Sequence, residues 1–265
     1  MNADTYRVYA IKYAQAHRMT SATFIGGDMK HDVPIPLDFF VWVVVGKSRA
    51  WIVDTGFDQA AATARGRTIT RPVADGLAAI GIQAADVQDV IITHMHYDHA
   101  GNRDLFPRAR YHVQDREMAY CTGRCMCHAT LNRGYDPQDV SAMVHRIFDG
   151  RVEFHNGDAE LAPGLSVHHM GGHTDGVQVV RVRTEAGMLV LASDTSILYE
   201  HMASKRPFQG VYNVGDMLEG FQRVTALADS PQLVIPGHDP QVLQRFHPAS
   251  REQEGWIARL DTGLR

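Results

Sequence analysis

Cysteine is scarce: the 265 residues contain three, Cys121, Cys125 and Cys127, all within one short stretch. An odd number so closely spaced is a poor disulfide framework. With His128 nearby a zinc knuckle is conceivable, but the second spaced pair that structural zinc sites use is missing. The three are therefore expected to be reduced thiols lining a core or a cap. Long apolar runs are also lacking. The longest, Phe39 to Val45, falls far short of the ~18 to 20 residues that span a bilayer. Met1 to Arg18 has neither an uninterrupted apolar core nor a small-residue cleavage pattern, so the expectation is a cytoplasmic chain with no membrane partner. There is no excess of positive charge. A net charge of −4 argues against a general nucleic-acid binder, which would carry a basic face. No internal repeat or low-complexity segment is visible. An apolar content of 45% and a charged content of 21% are ordinary for a globular protein, and the length is ample for a sizeable core. One domain over 1–265 is expected.

Histidine is abundant, at fifteen residues. The surrounding pattern places many of them at strand ends. Phe39–Gly46 and Trp51–Gly56 are β-rich, separated by a short polar turn, and read as a hairpin buried largely on both faces. Ala74–Ile82 reads as a helix, with Gly81 as its stop. Val87–Thr93 reads as a strand running into a histidine cluster. Asp136 fits an N-cap and Pro137 the first turn of a helix. Val140, Met143, Val144, Ile147 and Phe148 then fall on one apolar face, and Gly150 ends the helix. Strands resume at Leu165–His169, Gln178–Arg183 and Met188–Ala192. Asp216 opens a further helix, and Leu233–Ile235 is a short last strand. Strands outnumber helices, which suggests an α/β sandwich over a doubly wound sheet.

The central signal is Thr93-His94-Met95-His96-Tyr97-Asp98-His99-Ala100-Gly101-Asn102. Four potential metal ligands within six residues are costly to crowd together unless a cation compensates them. His94 and His96 point the same way from an extended segment, and a turn aims Asp98 and His99 elsewhere. Three further strand ends carry a donor: His173 in Gly171-Gly172-His173-Thr174, Asp194 in Ala192-Ser193-Asp194-Thr195, and His238 in Pro236-Gly237-His238-Asp239.

His94-x-His96-x-Asp98-His99, followed by His173, Asp194 and His238, resembles the motif series of the metallo-β-lactamase superfamily. Asp54-Thr55-Gly56 resembles its first motif. The match runs from about residue 39 to 240. The resemblance implies an αββα sandwich with metals at one edge, and residues of about 115–150 as a possible helical cap insertion. It implies that His94, His96 and His173 hold one metal, that Asp98, His99 and His238 hold a second, and that Asp194 bridges them. Asp54 would orient a ligand histidine. The cofactor implied is two divalent cations. Zinc, iron, manganese and cobalt all suit such donors, and zinc is the expected pair.

The fold hosts many activities, so the branch must come from the site. Aspartate at 194 argues against β-lactamases, which usually have cysteine or serine there. A glyoxalase II-like thioester hydrolase usually carries a C-terminal helical region, and little chain follows His238. A mono-iron persulfide dioxygenase-like protein fits two metals less well. A degenerate metal-binding or sensing protein would not need a complete ligand set. The details most resemble the N-acyl homoserine lactonase family. The implied reaction is opening of a lactone ring, with other lactones, cyclic amides and thioesters as alternatives. The partner is a small-molecule lactone or related ring. Asp98 would shuttle a proton to the leaving oxygen. Tyr199 would support the substrate carbonyl or leaving oxygen, although it stands five residues after Asp194 where the best-known members have three. An apolar loop from Arg18 to Gly27, with Met19 and Phe24, would form one pocket wall, and Tyr120 to Leu131 the other.

Overall fold

The computed structural model describes residues 5–26 and 32–265. Its strands are β1 (Arg7–Met19), β2 (Pro34–Val45), β3 (Ala50–Val53), β4 (Thr68–Ile69), β5 (Asp89–Ile91), β6 (Arg110–Gln114), β7 (Val152–His155), β8 (Ala159–Ala162), β9 (Leu165–His169), β10 (Gln178–Thr184), β11 (Gly187–Ser193), β12 (Val234–Pro236), β13 (Phe246–Pro248) and β14 (Ile257–Leu264). They form two sheets. One runs β13-β14-β1-β2-β3-β5-β6-β7, with β4 alongside β1, and the other runs β12-β11-β10-β9-β8.

The layering follows from which side chains alternate. On β2, Phe40, Trp42 and Val44 enter the core between the sheets, where they meet Val180 and Val182 of β10 and Leu189 and Leu191 of β11. The intervening Phe39, Val41 and Val43 face the opposite side, where Leu77 and Met143 from covering helices pack. On the second sheet, Val179, Val190 and Ala192 turn outward against Val224 of the helix Val214–Leu227. A strand with apolar residues on both faces must be covered on both, and the result is an αββα sandwich.

Within the first sheet β3, β5, β6 and β7 run parallel, as do β11 and β12 in the second. Their C-terminal ends meet at one edge of the sandwich. The two sheets are tied together there by Gln178, whose N–H donates to Thr93 O at 2.9 Å and whose Nε2 donates to Ile92 O at 2.8 Å.

Several elements differ from the sequence reading. Only Asp89–Ile91 of the expected strand 87–93 joins the ladder, because the chain then turns into the histidine cluster. The last major helix starts at Val214, capped by Asn213, whose Oδ1 accepts from Gly215 N and Asp216 N. Asp136 does cap Pro137–Phe148, accepting from Gln138 N at 2.9 Å, but Phe148 at its end is 88% exposed and not on the buried face. Among the described residues no helix is long and apolar enough to cross a membrane.

Candidate metal centre

Each of the eight histidine and aspartate side chains of the site, the seven candidate ligands and Asp54, follows a strand end at the shared edge. β3 leads to Asp54, held at φ 64°, a left-handed conformation unusual for a residue with a side chain. That conformation lets its carboxylate reach the next strand end. Oδ1 accepts from Thr93 N at 2.8 Å, and Oδ2 accepts from Thr93 Oγ1 at 2.9 Å and from His99 Nδ1 at 2.7 Å. β5 leads to His94 and His96, and the short helix Tyr97–Ala100 then carries Asp98 and His99. β9, β11 and β12 lead to His173, Asp194 and His238 respectively.

The donors converge. His94, His96 and His173 form one group, and Asp98, His99 and His238 another, with ligand atoms in each lying within 4.8 Å of one another. Asp194 stands between them. Its Oδ2 is 3.4 Å from His173 Nε2, while its Oδ1 is 3.1 Å from His238 Nε2 and 3.4 Å from His99 Nε2. Asp98 Oδ2 lies 3.8 Å from His238 Nε2 and 3.9 Å from His99 Nε2.

The outer hydrogen bonds decide what these nitrogens can do. His99 Nδ1 donates to Asp54, His238 Nδ1 donates to Asp38 O at 2.9 Å, and His173 Nδ1 donates to Gly210 O. These assignments follow from the acceptors present. Each leaves Nε2 directed inward, so lone pairs face one another and face carboxylate oxygens. His96 Nδ1 sits 3.0 Å from His94 Nε2 and 2.9 Å from His173 Nε2. His99 Nε2 and Asp194 Oδ1 are buried without a hydrogen-bond partner. Such an arrangement suits a divalent cation, and these donors fit one.

The electrostatics agree. Burial and the neighbouring imidazoles hold His94 and His96 well below the usual histidine range, which favours the neutral form that a metal ligand needs. Burial also disfavours the His99 imidazolium, but Asp194, Asp54 and Asp98 outweigh it and carry His99 up to about 10. Burial acts against the Asp194 carboxylate, yet His238 and His99 hold it well below its usual range. In the polypeptide alone the cluster takes up a proton at His99, and a metal would displace it.

Two positions show how closely the backbone approaches. A Cβ on Gly237 would lie 2.5 Å from Asp194 Oδ1, and one on Gly134 would lie 2.5 Å from the His96 ring. Both sites are filled by the cluster itself.

Glu117 was not among the sequence-derived candidates. It is fully buried, and its Oε1 accepts from Met95 N at 2.8 Å and from Tyr135 Oη at 3.1 Å. Its Oε2 accepts from Thr174 Oγ1 at 2.6 Å. One carboxylate thus joins the loop carrying His94 and His96 to the loop carrying His173. Burial raises its pKa, against the hydrogen bonds that lower it. A single glutamate in an ordinary helix gives no sequence signal.

The cluster forms the floor of a cavity of about 330 Å³, which also contains Leu37, Phe39, Leu131, Ile197, Phe208 and Val211. Three expected pocket residues do not line it. Tyr199 packs in the core between the sheets, with the Arg245 guanidinium 3.7 Å over its ring, because it begins a helix that turns away from the metal edge. Ile197 occupies the wall position instead. Phe24 is buried with Leu37 and Phe208 behind the wall, and Met19 is 40% exposed; Arg18 and Ala22 supply that segment's contribution. Gly27, at the end of the expected loop, lies outside the described residues. From the opposite wall, Tyr120, Thr130, Leu131, Arg133 and Gly134 line the cavity. A further group, His112, Glu153 and His155, has ligand atoms within 4.8 Å of one another, but none of the three lines the cavity.

Two sheets covered by helices, with a dense His/Asp cluster where parallel strands end, define an αββα protein whose cluster could hold metal ions. The chain belongs to the metallo-beta-lactamase superfamily, whose family model matches residues 37–247. It is 29% identical over 180 residues to the N-acyl homoserine lactonase AttM of Azorhizobium caulinodans, covering 64% of this chain and 65% of that protein, just under two thirds of its length. It is 24% identical over 249 residues to an N-acyl homoserine lactonase of a Bacillus species, covering 84% and 88% of the two chains. The crystal structure of a quorum-quenching N-acyl homoserine lactone lactonase superposes with a TM-score of 0.74 at 21% identity, covering 90% of this chain and 94% of that one.

Proposed function

We propose that this protein is a dinuclear-metal hydrolase that opens a lactone ring, with N-acyl homoserine lactones as the first class to test and zinc as the expected metal. The observation that carries the reading is Asp194, whose two oxygens turn to two separate groups of ligands. The similarity to named lactonases supports the substrate class.

Two divalent cations in such a cluster supply Lewis acidity at a carbonyl and activate water at neutral pH. The chain's own residues do the rest. His94, His96 and His173 would hold one cation and Asp98, His99 and His238 the other, with Asp194 between the two groups. Asp54 fixes the His99 ring through Nδ1. Asp98, half-buried at the cavity floor, would take a proton from the attacking water on the carboxylate oxygen turned away from His99 and His238 and pass it to the leaving oxygen. No serine or cysteine lines the cavity among the described residues, so the protein offers no thiol or serine hydroxyl for an acyl-enzyme. The aliphatic and aromatic wall accepts the acyl portion, and the segment 115–150 acts as its cap.

The test is a substrate screen on metal-loaded protein, with metal content measured alongside. Two equivalents of metal and turnover of homoserine lactones faster than of β-lactams or glutathione thioesters are expected. Failure on every lactone with robust turnover of a thioester or cyclic amide would refute the substrate class. Metal content that stays at one equivalent after supplementation would refute the dinuclear centre.

A further inference from the structure

The cavity wall has more positive charge than lactone chemistry requires. Arg18, Arg65, Arg67 and Arg133 all line it. The only carboxylates lining it among the described residues are Asp98 and Asp194, which belong to the ligand cluster. None of the four arginines forms an ion pair among the described residues. In a chain with a net charge of −4 this is a local excess of the opposite sign, and cations bound at the floor would add to it. A cleft lined by charge of one sign attracts ligands of the other.

The arginines are not equivalent. Arg65 is fully engaged: its terminal nitrogens donate to Arg133 O at 2.8 Å and Tyr135 O at 3.0 Å, and its guanidinium lies 3.9 Å over the Tyr97 ring. Arg67 is held at one point, where its Nε donates to Tyr97 Oη at 3.1 Å. Its two terminal amino groups have no partner among the described residues. That anchor lies beside the cluster, because Tyr97 directly precedes Asp98. The guanidinium is also 6.0 Å from the Phe39 ring, which is 4.9 Å from the His238 ring. An arginine fixed through Nε with its terminal fork open matches a planar carboxylate in a bidentate pair. A wall built for a neutral acyl chain alone would have no use for it.

We propose that the substrate bears a carboxylate on the portion remote from the reacting carbonyl, and that Arg67 is the specificity residue that holds it. Arg18, Arg65 and Arg133 supply the surrounding positive field. This inference rests on the lactone reading above and narrows it to anionic lactones.

The experiment compares N-hexanoyl homoserine lactone with N-adipoyl homoserine lactone, which has the same chain length but ends in a carboxylate. The native protein should show kcat/KM higher by about 10-fold or more on the adipoyl compound, an advantage that shrinks with added salt. Arg67→Gln should lower the adipoyl-to-hexanoyl ratio by about 10- to 100-fold, and Arg67→Lys should recover part of it. Unchanged metal content in both variants verifies that they fold. Equal or better turnover of the hexanoyl compound by the native protein, or a ratio that Arg67→Gln leaves alone, would overturn the proposal. If neither lactone is opened, the lactone reading fails, and binding decides the arginine assignment separately. Adipamate, the half-amide with one carboxylate, should then stabilise the native protein against heat at about one tenth of the concentration of neutral hexanamide or less, with the difference lost in Arg67→Gln. Equal affinity for the two compounds would refute the assignment.

Discussion

Glu117 touches none of the donor atoms, yet it accepts hydrogen bonds beside two of the loops that carry them. Removing it leaves the Met95 N–H and the Tyr135 and Thr174 hydroxyls unpaired in a buried place. Glu117→Ala should weaken metal binding or activity by about 10- to 100-fold, as should Asp54→Ala, whereas Asp194→Ala should lose bound metal and activity together. Metal titration of the three variants checks this order, and a Glu117→Ala protein that binds metal like the native one would contradict it. His201 carries a different expectation. It is fully buried, its ring 4.5 Å from that of Phe24 and 5.4 Å from that of Phe208, and burial pushes its pKa down to about 4. The unfolded chain has its histidine near about 6.5, so between these values the unfolded state holds the extra proton. The stability from a neutral His201 is complete above about pH 6.5 and drains as pH falls toward 4, by up to about 1.4 kcal/mol per pH unit. His201→Gln is neutral throughout and should flatten that part of the curve. Denaturant unfolding between pH 4.5 and 7 measures it, and equal slopes would show that the imidazole is not held neutral.

At the scale of elements, the stretch 115–150 is a string of short helices packed against the first sheet, and its cysteines follow that packing. Cys121 is buried, Cys125 half-buried and Cys127 exposed, and none is bonded to another. Replacing all three with serine should leave metal content unchanged, and loss of a metal equivalent would reveal a site there. The strands at the metal edge were legible because each combines an apolar run with a donor just past its end, as at Met188–Ala192 and Asp194. β1 was not. Its residues Val8 to Ala14 are buried on both faces apart from Lys12, so no alternation of apolar and polar residues marks them. Lys12 itself is paired, its Nζ 2.7 Å from Asp38 Oδ1. Tyr199 shows the opposite failure. Distance along the chain from Asp194 said nothing about where a helix starting at Tyr199 would turn. The arginines at the cavity were illegible for a similar reason, since Arg18, Arg65, Arg67 and Arg133 come from separate segments.

Across the whole molecule, the αββα sandwich was anticipated because the order of the motifs resembles that of the metallo-β-lactamase superfamily, which implies that fold. The closure of the first sheet could not be anticipated in that way. β1 lies between β2 and β14, with Tyr9 opposite both Val43 and Arg259. A neighbour on one side is made early in synthesis, while the neighbour on the other is nearly the whole chain away. Until β14 emerges, β1 presents an unsatisfied row of backbone donors and acceptors along an apolar strand, the kind of edge that pairs with other chains. The ribosome releases residues at roughly 5–20 per second, so this exposure lasts on the order of ten seconds or more. The pairing of β1 on that side therefore has to wait until Ile257 to Leu264 has been made.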